Sequence, residues 1–134
     1  MRLAVVAAVA TVLVGSAAAD EWRKLHIRLS SMTPVDHVGA TAGWALYDCT
    51  TAAAASLASK PEPKLTDADW TPVKDRPTLE QMAASAMAAC GDAETKAAGV
   101  LAEPEFAAIK KSVLTIATET IRREREKREY LRRE

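Results

Sequence analysis

The sequence predicts an all-α fold: a small three-helix, up–down–up domain whose first two helices form an antiparallel hairpin closed by one disulfide, with a charged helical extension at the C-terminus. Three observations carry this. Small and apolar residues recur at three- and four-residue steps in three stretches, the spacing of one helix face. Capping residues and prolines mark where those stretches begin. The chain has two cysteines, Cys49 and Cys90, and they fall at matching depths in the first two stretches.

The first stretch opens at Thr33-Pro34-Val35-Asp36, with Thr33 as the cap, proline at the first helical position and a carboxylate three residues after the cap. It runs to about Ser59, with a stripe of Val38, Ala42, Ala45, Cys49, Ala52 and Ser56. Trp44 and Tyr47 flank that stripe and are the largest side chains available to cover it. Gly39 and Gly43 form G-x-x-x-G. The segment also holds Asp36, His37 and Asp48, so the motif reads as close packing of a neighbouring helix and not as a membrane dimer.

Residues 60–77 hold four of the six prolines and read as a linker, longer than most helix–helix connections. Within it, Thr66 to Asp69 can cap a single turn that plants Trp70 on the domain. The second helix starts at Thr78, where Gln81 completes a capping box. Its stripe is Met82, Ala86, Ala89, Cys90, Ala93, Ala97 and Val100; Gly91 lies inside it and Gly99 marks its end. Glu103-Pro104 restarts the chain as the third helix, with Phe106, Ile109, Val113, Ile116 and Thr120 in line. Leu114, Ala117 and Ile121 widen that face. The helical domain thus spans residues 33–121. Residues 122–134 form a tail in which eleven of thirteen residues are charged, seven basic and four acidic.

Counting from the hairpin end fixes the cysteine register. Cys49 is ten residues before Ser59 and Cys90 twelve after Thr78, or about 15 and 18 Å along the two helices. In an antiparallel pair these heights nearly coincide, which predicts a Cys49–Cys90 bridge in preference to two free thiols. Closing so long a loop is worth about 4 kcal/mol in the chain-entropy model.

Residues 1–19 read as a signal peptide. Met1-Arg2 supplies a positive start, Leu3 to Val14 an apolar run, and Ala17-Ala18-Ala19 an A-x-A cleavage pattern before Asp20. The apolar run is shorter than the ~20 residues of a membrane span. Export puts the cysteines in an oxidising compartment, periplasmic or secreted. Residues 20–32 form an N-terminal arm. There Leu25, Ile27 and Leu29 alternate with Lys24, His26 and Arg28, a strand-like period with no second strand to pair with, so the arm stays open between helix and extended chain.

The formal net charge is zero, and the four glutamates of the tail dilute its basic residues to +3, so no field draws the chain to nucleic acid. His26 and His37 are the only histidines, and no metal-ligand spacing recurs. There is no G-x-S-x-G, S-x-x-K or phosphate-cradling glycine loop. The expectation is therefore a non-catalytic exported protein without cofactor or metal. It binds a macromolecular partner in the cell envelope, as an adaptor, inhibitor or assembly factor, with no stable membrane insertion once the leader is removed. A stand-alone structural or stress-protective protein is the alternative; an envelope hydrolase or the accessory subunit of an enzyme comes third. The expected contact residues are Trp44, Tyr47 and Trp70, with Arg123, Lys127 and Tyr130 along the tail. Long stems such as those of Arg123 and Lys127 can cover a partner's apolar surface while their charges stay wet.

Intact-mass measurement of the exported protein tests the leader. A chain beginning at Asp20, or one residue earlier, is expected; one retaining Met1 contradicts the cleavage pattern.

Overall fold

The computed structural model describes residues 17–59 and 77–133. Within them are α1 (Ala17–Met32), α2 (His37–Ser59), α3 (Leu79–Ala89), α4 (Gly91–Val100) and α5 (Glu103–Arg133), and no strand. The leader up to residue 16 and most of the 60–77 linker, Trp70 included, lie outside the described residues.

The arm is a helix and a wall of the core. Leu25 and Leu29, one turn apart, are fully buried, whereas Ile27 between them is 68% exposed. The period of two was a coincidence of spacing: residues four apart satisfy both patterns, and only the helix satisfies the backbone of an unpaired segment. Thr33 is not the cap of the next helix. Its hydroxyl donates to the Leu29 carbonyl within α1, and Asp36 caps α2 by accepting from the Gly39 amide at 2.8 Å. Pro34 lies in the turn between the two helices.

The buried face of α2 also differs from the expected stripe. Gly39, Gly43, Leu46, Thr50, Ala54 and Ala58 point inward, while Val38, Ala45, Cys49, Ala52 and Ser56 are exposed. Ala42 alone belongs to both sets. The second expected helix is two. Its capping box is present, with the Gln81 amide donating to Thr78 Oγ1 and the Thr78 amide donating to Gln81 Oε1. The helix breaks at Cys90, where φ is −103° and ψ 35°. Gly91 therefore opens α4, Gly99 lies inside it, and Leu101 ends it. Along α3 and α4, Ala86, Cys90 and Ala97 are buried as expected, Ala83 and Met87 are buried although outside the expected stripe, and Ala89 and Val100 face outward.

The pairings fix the directions. Glu21 meets Ser112 and Arg28 meets Glu105, so α1 runs antiparallel to α5. Glu94 meets Lys110 and Met82 meets Arg125, so α3 and α4 also run against α5. The three expected walls stand up–down–up as α2, α3–α4 and α5, and the arm adds a fourth. The α2–α5 contact is the most extensive. One end of the core is built from Leu25, Leu29, Leu46, Ile109 and Val113 with their neighbours; the other is almost entirely alanine: Ala54, Ala58, Ala83, Ala86 and Ala117, closed by Ile121.

Close approach explains the glycine pair. A Cβ on Gly43 would lie 2.6 Å from Leu29 Cδ2, and one on Gly39 would run into the Asp36 carboxylate and Leu101. Cys49 and Cys90 are joined as predicted, their Cα atoms 6.0 Å apart. The bridge is asymmetric, with Cys90 buried and Cys49 exposed, so only one of the two lies on an inward face.

Three measurements of stability test this packing. Reduction of the bridge is expected to lower the thermal midpoint by roughly 10–20 °C, the scale set by ~4 kcal/mol in a domain this small. Gly43→Val is expected to cost about 2–3 kcal/mol by overpacking against Leu29. Gly99→Ala, which meets nothing within 4 Å, is expected to gain up to ~1 kcal/mol.

Candidate functional site

A ladder of rings crosses the α1–α2 seam. Trp22 and His26 are four residues apart, so they share one face of α1, and their centroids are 5.0 Å apart. His26 meets the edge of Trp44 on α2 at 5.8 Å, and Trp44 meets Tyr47 edge-on at the same separation. Such tilted and edge-to-face pairs are worth about 0.5–1.5 kcal/mol beyond their buried area. Ser30 Oγ stands 3.3 Å from His26 Nδ1 on the exposed face of α1, which helps hold the imidazole against Trp44.

Next to this ladder, α1, α2 and α5 enclose a groove of about 370 Å³. Ala18, Ala19 and Ile116 form its floor, Trp22 and Tyr47 its aromatic walls, and Arg23, Glu119, Thr120 and Arg123 its polar rim. The floor is low because alanine occupies the α1 side. Thr120, on the rim, donates its hydroxyl to the Ile116 carbonyl one turn back.

The rim charges are unequally committed. Glu119 is bound by Arg122 and also accepts from Arg123 Nε at 3.1 Å. The Arg122 hydrogen bond, against some opposing burial and with help from Arg123, holds its carboxyl below the usual range. Arg23 has only a loose partner, Asp20, at 3.9 Å on an exposed surface. Beneath the groove Ser112 donates to Glu21 at 2.7 Å, and this bond, with Lys24 nearby, lowers the Glu21 carboxyl.

Of the expected contact residues, Tyr47 and Arg123 come together in the groove and Trp44 braces Tyr47 from behind. Lys127 is exposed on α5, one turn beyond Arg123. Trp70 and the side chain of Tyr130 lie outside what is described. The tail continues α5 through Arg133, and its first turn is held to the bundle, Arg125 donating to Met82 Sδ. Trp22, His26, Arg23, Glu119 and Ile116 also belong to the site. The signal for the α1 members was the helical step Ala18–Trp22–Leu25–Leu29, masked by the alternating one.

Among the described residues no group of three or more His, Cys, Asp and Glu side chains gathers as a metal site. No described helix is long and apolar enough to cross a membrane. No protein-family model, curated protein or solved structure matches the chain.

The lowered carboxyls set an acid limit. A group whose folded pKa is depressed contributes stability that is complete above its ordinary range and is lost as pH falls through the lowered value. The thermal midpoint is expected to fall as pH drops below the ordinary carboxylate range. Glu119→Gln, whose side chain no longer titrates, is expected to flatten part of that fall. Calorimetric scans across this window check it.

Proposed function

We propose that the protein is a non-catalytic exported protein that acts by binding a protein partner in the cell envelope, through the groove between α1, α2 and α5. The observation that carries this reading is the groove itself. It joins two aromatic walls, Trp22 and Tyr47, the apolar side chain of Ile116 and a loosely paired arginine in one concave surface, and all of these lie downstream of the cleavage pattern. Large aromatics cost little entropy on binding and dominate the energetics of interfaces. In a chain with so few aromatics, three of them, Trp22, Trp44 and Tyr47, are gathered beside one opening at the outer edge of the core. The fitting occupant is an apolar side chain of the partner, with a carboxylate beside it to meet Arg23 and Arg123.

The export half of the reading rests on the leader pattern of residues 1–19 and is consistent with the Cys49–Cys90 bridge, which persists best in an oxidising compartment. The adaptor, inhibitor and assembly-factor readings all use the same groove. A structural or stress-protective protein with no fixed partner makes no use of it.

Site-directed photo-crosslinking separates these. A crosslinker at Thr120, in the groove, is expected to capture one discrete partner from intact cells. The same group at Ser85, exposed on α3, is expected to capture none. Tyr47→Ala is expected to abolish the Thr120 product. Equal, diffuse labelling from both positions overturns the binding function in favour of the structural one.

A further inference from the structure

The groove's floor is partly made of residues that the cleavage pattern assigns to the leader. Ala18 and Ala19 are 8% and 7% exposed, packed within α1's first turn against the α5 side of the groove. The A-x-A pattern places the scissile bond directly after them, between Ala19 and Asp20. We propose that removal of the leader deepens the binding groove, so that the processed chain presents more of the α5 surface beneath it than the uncleaved chain does.

The step is a peptide-bond hydrolysis by an endopeptidase that recognises the small residues. One water is consumed, the departing peptide keeps the Ala19 carboxylate, and the retained chain gains an α-ammonium on Asp20. Two physical changes follow. About one helical turn leaves the end of α1, which uncovers Ile116, 8% exposed while the turn is in place. A new positive charge appears beside Arg23, at the end of the groove where Ala19 had been, and Arg123 already stands on the opposite rim. Leader removal therefore exchanges the alanine floor for the larger apolar side chain of Ile116 beneath it and makes the rim more positive. Both changes favour the occupant argued above, an apolar group with an adjoining carboxylate. The core tolerates the loss because α1 is anchored further along, by Leu25, Leu29 and the Glu21–Ser112 and Arg28–Glu105 contacts.

This inference rests on the proposed binding function for its purpose but not for its test, which uses a dye. The full chain, made without export and oxidised to form the bridge, is compared with the exported, processed chain. The probe is 8-anilinonaphthalene-1-sulfonate, whose rings and sulfonate match an apolar floor with a cationic rim. The processed chain is expected to bind it about tenfold more tightly, a difference of ~1.4 kcal/mol. Thr120→Phe in the processed chain refills the opened space and is expected to return binding to the level of the full chain. Hydroxyl-radical footprinting of the unsubstituted chains reads the same event, with oxidation of Ile116 and Trp22 rising on processing. Equal dye binding and equal footprints in the two chains overturn the proposal, whatever cross-links form. Dye binding and footprints that both rise, with no groove-directed cross-link, uphold the opening and count against the partner alone.

Discussion

The close approach of α2 to its neighbours is the constraint from which the remaining geometry follows. Alanine and glycine fill most of the inward face of α2, and a Cβ on Gly43 would strike Leu29. Helices that meet through such small side chains lie near each other, and little space remains between them for a large residue. Most of the buried leucines and isoleucines gather at one end of the bundle, and alanines with Ile121 form the other. Each alanine contact buries little area, at ~25 cal/mol per Å², so the alanine end depends more on geometry than on burial. A bridge fixing α2 to the α3–α4 break, within reach of both clusters, answers that weakness.

The rings lie on the leucine end of the bundle. Trp44 and Tyr47 are half-buried and pack against the cluster of Leu25, Leu29, Leu46, Ile109 and Val113, and they meet Trp22 and His26 at its outer edge. The groove sets these wide aromatic walls beside the small side chains of Ala18 and Ala19.

What was legible in the sequence follows from the same physics. The helical class, the capping box at Thr78 and the cysteine register depend on local chemistry or on counting, and each is found in the structure. The inward face of α2 was not legible, because in a run of alanines the apolar pattern is nearly the same on every face. The stripe through Cys49 and the one through Thr50 differ by one residue, and only tertiary packing chooses between them. The arm stayed open for a related reason, since Leu25 and Leu29 fit both periods and Ile27 fits only the alternating one. Thr33 and Asp36 competed for one cap, and the carboxylate won because its oxygen reaches the Gly39 amide across an open turn. Trp44, Tyr47 and Arg123 were recognisable as surface-active residues, but their assembly depended on α1, whose helix the alternating pattern concealed.

The charged end of α5 then takes on a more definite role than that of a solubilising tail. Its first turn meets the bundle through Arg125, which reaches Met82 on α3, while Arg122 and Arg123 converge on Glu119 one turn back along α5 itself. Arginine suits this position because its stem packs while its planar head satisfies a carboxylate. Glu119 spends its charge on Arg122 and Arg123, which leaves Arg23 as the loosely held cation on the rim. The groove therefore presents apolar surface next to a positive edge without any net charge on the whole chain. Such a surface draws its selectivity from the placement of a few charges around an apolar opening, and long-range attraction contributes little.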